Sequence, residues 1–309
     1  MNLPYAIYPR NSSSAIPRMR GLKSLPRILA LGGGIGMALV VLVTLTRYGT
    51  PVDAWCYYGF DGADPWRADG CFLYSPPVEA AMGAIRSVIP FDFFTFILRS
   101  AEVLVLVAVA GPAVGLVLWI PAVATELNAA NINLLIVGAV LIGFRYPWAW
   151  AFIALTKITP GIGMLWFAVR REWTALAIAT GATLGLALVS GLAAPDQWGR
   201  YVAALMVEPD SSVFLIWWRL PLAAVVVIWG ARNDHRWAVL LAVFLSLPRW
   251  YFLSPVILVG LFPLVRLPRP LPGALWVRSL RPGSPAVRAS AVQPAAATSE
   301  GRTAPAPSS

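Results

Sequence analysis

The chain is poor in the residues on which most soluble enzymes run. It has one histidine, His235, and two cysteines, Cys56 and Cys71, in 309 residues. One histidine in a basic loop offers no Ser–His or Cys–His constellation, so hydrolase chemistry of the familiar kinds is excluded. Paired Cys/His ligands at zinc spacing are missing, which removes a structural zinc site. No Gly-x4-Gly-Lys-Ser/Thr loop occurs, so ATP bound by this chain is not its energy source. Charge is scarce too: charged residues make up 12% of the chain and hydrophobic ones 58%, with a mean hydropathy of +0.70. Such values lie outside the soluble globular range and describe a multi-pass membrane protein.

The formal charge of +10 does not point to nucleic acid, because of where the basic residues stand. Arg10, Arg18, Arg20, Lys23 and Arg27 precede the first apolar run without an acid among them. Arg266, Arg269, Arg278, Arg281, Arg288 and Arg302 follow the last one, against Glu300 alone. This is the positive-inside distribution, and it predicts a cell-membrane protein with both termini cytoplasmic and an even number of crossings.

Apolar runs fall at roughly 28–46, 97–119, 122–144, 147–169, 173–193, 213–230, 237–248 and 251–266. The first is bounded by Arg27 and Arg47, lacks a small-residue cleavage site, and is long enough to cross a hydrocarbon core of roughly 30 Å, so it reads as a retained signal anchor. The loops "VRREW" (169–173) and "ARNDHRW" (231–237) are basic and expected inside; residues 194–212 are acidic and expected outside, as is the loop 48–96. The expected architecture is all-α and polytopic, with about eight spans. Residues 1–27 form a basic cytoplasmic segment, 28–266 the transmembrane domain, and 267–309 a disordered tail rich in Pro, Ala, Ser and Arg. The stretch 76–90, with prolines at both ends and a Glu and an Arg between them, suits an amphipathic helix lying at the interface.

Chemistry must come from carboxylates beside the membrane and from the few charges within the spans. Asp53 follows the first run closely and is flanked by Trp55, Tyr57 and Tyr58, a setting that suits a general base at the bilayer surface. A solvated carboxylate among interfacial aromatic anchors is the alternative. Lys157, in "ALTKITPG", falls within the fourth run, where a cation is costly and points to an anionic partner such as a lipid phosphate, or to Glu126 or Glu102. Pro160 loosens the helix there. Arg219 in "WWRLP" is a second candidate for phosphate or a snorkelling side chain. Arg99 and Glu102, three apart, suit a structural pair on one helical face. Asn128, Asn131 and Asn133 open the third run and suit either substrate contacts or helix caps. Cys56 and Cys71 share the external loop, where a disulfide and two free thiols are both open. Asp53, Asp61 and Asp64 match no standard metal-binding loop, so neither metal nor cofactor is expected.

In their order, these features resemble glycosyltransferase family 87, the polyprenyl-phosphate-mannose-dependent mannosyltransferases of the GT-C fold. The features are an Asp just after the first span, Tyr-x-Pro-Pro at Tyr74–Pro77, "NINLL" at 131–135, Lys157-x-x-Pro160, and Arg170-Arg-x-Trp173. Where that family's Gly-Gln-x-Asn is expected, this chain has Ala130, Asn131, Ile132 and Asn133. The resemblance implies an inverting transferase that moves a sugar from a polyprenyl-phosphate donor to a glycolipid or glycan acceptor on the outer face. It implies Asp53 as the base, and Lys157, Tyr57, Tyr58 and Tyr74 as donor-phosphate or sugar contacts. Asn131, Asn133 and Arg219 complete the candidate substrate-binding set. The competing readings are a non-enzymatic carrier of lipid-linked sugars, an envelope scaffold, and an inactive relative.

Overall fold

The computed structural model describes residues 25–58, 65–66, 71–207 and 211–266. The expected disordered tail, most of the basic N-terminal segment, and Asp61 and Asp64 lie outside these residues. Among the described residues the regular structure is entirely helical. The described residues open with the long helix α1 (Leu25–Tyr48), followed by the short α2 (Val52–Tyr58) and, after the loop that holds Cys71 and Tyr74, α3 (Pro76–Val88). Pro76 stands in the first helical position, where the missing N–H removes nothing, so the double proline is what starts α3. Glu79 and Arg86 pair across its polar side, as expected of a helix lying at an interface.

α4 (Phe91–Ala110) continues through a 3-10 turn at Gly111–Ala113 into α5 (Val114–Val117), and the whole packs against α1. Gly34 permits this contact, since a Cβ there would collide with the side chain of Val114 and come within 3.0 Å of the Gly115 backbone nitrogen. α6 (Pro121–Ala129) and α7 (Asn133–Gly143) follow, bent by 100° against each other. The bend is made at Ala130, whose φ of 54° and ψ of 55° are left-handed and which is fully buried. Glycine is the residue for that conformation, and the resemblance leads one to expect a glycine here.

The fourth apolar run does not form one helix. It is divided into a 3-10 turn at Pro147–Ala149, α8 (Trp150–Thr156), a second 3-10 turn at Thr159–Met164 and α9 (Leu165–Val169). A proline stands at the start of both turns, because it cannot donate to the preceding helical turn. α10 (Trp173–Ala193) is continuous; it buries only Ala179 fully, packs one side on α3, α8 and the Pro147–Ala149 turn, and leaves its other side exposed, as a lipid-facing helix does. α11 (Pro195–Val207), α12 (Ser211–Arg232, with Pro221 inside), α13 (Trp237–Leu245), a 3-10 stretch at Ser254–Gly260 and α14 (Leu261–Arg266) complete the chain.

Among the described residues three helices are long and apolar enough to cross a membrane, or four if the bent pair counts as one. These are α1, Phe91–Val117 and α10. Mean hydropathy registers the composition of a run but not its helical continuity, so it does not show the proline-led breaks of the fourth run. Arg170 pairs with Asp234 at 2.8 Å and donates to the Ala231 carbonyl at 3.2 Å, which joins the loop before α10 to the loop after α12. Trp66 packs on Tyr201 of α11, ring centroids 6.1 Å apart.

Candidate active site

Asp53 stands in the first turn of α2 and faces the chain reversal between α6 and α7. Its Oδ2 accepts a hydrogen bond from Asn131 Nδ2 at 2.7 Å. Its Oδ1 takes no hydrogen bond among the described residues. Burial raises the carboxyl above its ordinary pKa, while the Asn131 hydrogen bond and the charge of Lys157 pull it back down. The carboxylate is thus more basic than one in water, and it keeps an oxygen with which to accept a proton.

Lys157 ends α8, where the backbone turns extended with φ −141° and ψ 104°. Its Nζ donates to Asn133 Oδ1 at 2.7 Å. The same amide donates through Nδ2 to Glu126 Oε2 at 3.2 Å, and the Leu134 N–H donates to Glu126 Oε1 at 3.2 Å. Glu126 therefore caps α7, its charge set against the positive end of the helix. An anion and a cation on either side of Asn133 fix which way its amide points. Asn131 is fixed in the same way, because only its NH2 can face a carboxylate. Two residues apart around Ile132, the two asparagines hold Asp53 and Lys157 respectively. The left-handed turn at Ala130 presents both to one site.

Tyr57 of α2 and Tyr74 of the loop complete the surroundings. Their rings meet edge to face with centroids 5.2 Å apart. Burial above all pushes both phenols well above their ordinary pKa, so they stay protonated beside Asp53. The loop is held in three ways. A disulfide joins Cys56 to Cys71 with the Cα atoms 5.5 Å apart. Trp66 Nε1 donates to the Tyr74 carbonyl at 2.8 Å. The Ser75 hydroxyl donates to the Leu155 carbonyl at 2.7 Å, two residues before Lys157. In Tyr74-Ser75-Pro76-Pro77, the tyrosine thus supplies a ring to the site, the serine anchors the loop to α8, and the prolines start α3.

Two of the candidate residues lie elsewhere. The Tyr58 hydroxyl donates to the Ile89 carbonyl at 2.6 Å and its ring packs on Phe91 and Phe94, which joins α2 to the α3–α4 corner. Arg219 lies over the Trp250 ring at 4.6 Å and donates to the Pro248 carbonyl at 3.2 Å. The expected Arg99–Glu102 pair is also redrawn. The guanidinium is hydrogen-bonded to carbonyls instead, and both Glu102 oxygens are buried without a hydrogen-bond partner. Glu126 is the site residue that the sequence understates. It stands out there only as a partner for Lys157, and its cap on α7 depends on a reversal that no local pattern announces.

A sequence profile of glycosyltransferase family 87 matches residues 72–280, more than half of the 309 residues. The chain belongs to glycosyltransferase family 87. Family membership together with the apolar helices makes it a membrane glycosyltransferase that uses a sugar donor, an acceptor and lipids as its partners. No curated protein and no solved structure gives a match. The matched region begins at Phe72, so it holds Tyr74, Asn131, Asn133 and Lys157, whereas Asp53 precedes it.

Proposed function

We propose that this chain transfers a sugar, mannose by the family resemblance, from a polyprenyl-phosphate donor to an acceptor hydroxyl on the outer face of the cell membrane, with Asp53 as general base. The acceptor O–H gives its proton to Asp53 Oδ1 as the acceptor oxygen bonds to the anomeric carbon, on the face opposite the phosphate. The bond from that carbon to the phosphate oxygen breaks, and the oxygen leaves with the electron pair. Lys157 has three ammonium protons, one of them on Asn133. The others are available to the departing phosphate, whose growing charge a fixed cation stabilises best in a site that excludes water. Carboxylates nearby also favour the oxocarbenium character of the reacting sugar. Tyr57 and Tyr74, kept protonated, are donors for sugar oxygens or for Asp53 itself.

The observation that carries this reading is the Asn131-Ile132-Asn133 turn, which sets a basic carboxylate and an ammonium group on one site. The test is Asp53→Asn in membranes supplied with labelled polyprenyl-phosphate mannose. Removing a positioned base lowers transfer by about 10²–10⁴-fold, with donor binding retained. Transfer at the full rate would remove the mechanism. Movement of lipid-linked sugar that survives Asp53→Asn and disappears in Lys157→Ala would favour the carrier reading instead.

A further inference from the structure

Arg99 is 2% exposed, and its hydrogen bonds go to backbone carbonyls on two other helices. Nη1 donates to the Leu45 carbonyl near the end of α1 at 2.6 Å. Nε donates to Leu127 at 3.0 Å and Nη2 to Asn128 at 2.6 Å, both in the last turn of α6. The last carbonyls of α6 have no partner within the helix, and the Leu45 carbonyl shares the guanidinium with the Gly49 N–H at 2.9 Å, so one planar fork joins two helix ends at once. Glu102, one turn along α4, is buried and makes no hydrogen bond to the guanidinium.

The Asn128 side chain repeats the connection. Its Oδ1 accepts the Thr50 N–H at 3.0 Å, and its Nδ2 donates to Thr50 Oγ1 at 2.8 Å. Thr50 is three residues before Asp53, and Asn128 three before Asn131. The pair that joins the two strands of chain thus stands beside the pair that holds the base. Gly49 leaves the necessary room: a Cβ there would come within 2.6 Å of Arg99 Nη2 and 2.5 Å of the Leu45 carbonyl.

We infer that Arg99 and Asn128 are positioning residues for the transfer reaction. By fastening the end of α1 and Thr50 to the end of α6, they hold the Asp53 carboxylate in register with Asn131. Neither touches the proposed reacting atoms, and they act only through the Asp53–Asn131 contact. This inference rests on the reading of Asp53 as the base. A misplacement of about 1 Å in such a site costs on the order of 10²-fold in rate.

The experiment is a cycle of Asn128→Ala and Asn131→Ala, singly and together, on the purified full chain in lipid nanodiscs. It reads kcat, donor KM and thermal midpoint, with Arg99→Lys and Thr50→Val measured alongside. Asn128→Ala is expected to lower kcat about 10-fold with donor KM and midpoint little changed, and less than about 2-fold once Asn131 is already alanine. Arg99→Lys is expected to lower kcat further, because an ammonium cannot serve three carbonyls in fork geometry. Should Arg99→Lys not fold, Asn128→Ala and Thr50→Val carry the test. Equal loss from Asn128→Ala in both backgrounds, an unaltered kcat, or a loss that follows the thermal midpoint would overturn the inference. If Asp53→Asn is inactive while the cycle is additive, the positioning role falls alone; if Asp53→Asn is fully active, the base assignment falls first.

Discussion

Arg99 and Lys157 both place a positive charge among apolar helices, yet their neighbours differ in kind. Arg99 is bound to carbonyls of α1 and α6, with the buried Glu102 one turn away along α4. Lys157 has one hydrogen bond, to an amide that itself leans on Glu126. The first arrangement fixes geometry, because every bond is to backbone and none would be exchanged for a ligand. The second leaves ammonium protons to spare at the end of a broken helix. A cation in the membrane is thus a marker of function only after its partners are counted.

Exchange of each cation for methionine should separate the two roles most sharply. Arg99→Met strands the Leu127 and Asn128 carbonyls and leaves the buried Glu102 side chain without its neighbour, and is expected to cost about 3–5 kcal/mol of stability. Lys157→Met should spare most of the stability and instead lower transfer by about 10²–10³-fold, the usual effect of losing a charge stabiliser in an active site. Denaturation curves set beside transfer rates check both. Equal losses of stability would erase the distinction.

Next in size is the loop that carries Tyr74. The Cys56–Cys71 disulfide spans 15 residues, and loop-closure entropy puts its contribution at about 3 kcal/mol. Serine at both positions should lower the midpoint of unfolding and raise donor KM, because Tyr74, three residues beyond Cys71, packs on Tyr57 in the site. Smaller still is Ala130→Gly. Relief of a left-handed alanine is expected to stabilise the protein by about 1 kcal/mol with an unchanged kcat, since both asparagines keep their positions. A destabilised Ala130→Gly variant would mean that the turn is held by packing of the methyl group and not tolerated in spite of it.

Much of this was legible locally. Pro76 and Pro77 announced α3, and Asp53 and Lys157 stood out because charge is scarce around them. The meeting of Asp53 with Lys157 was not legible, since it depends on a 100° reversal at a residue that shows no glycine. The i,i+3 spacing of Arg99 and Glu102 pointed to a pair, but the guanidinium instead serves the Leu45, Leu127 and Asn128 carbonyls, partners on other helices that no local spacing announces. The broken fourth run had its signals in Pro147, Pro160, Gly161 and Gly163, which a hydropathy average conceals. Gly163 itself is buried where a Cβ would collide with the Trp150 ring.

The most direct measurement is the pH dependence of kcat/KM for transfer, taken before and after Asn131→Ala. Burial raises the Asp53 carboxyl and the Asn131 hydrogen bond lowers it, and the base works only when ionised. Activity should therefore fall on the acid side at a pH above the ordinary carboxylate range, and removal of the Asn131 hydrogen bond should move that limb to still higher pH. An acid limb that Asn131→Ala leaves in place would mean that another group takes the proton, and that the carboxylate held at the α6–α7 turn is not the base.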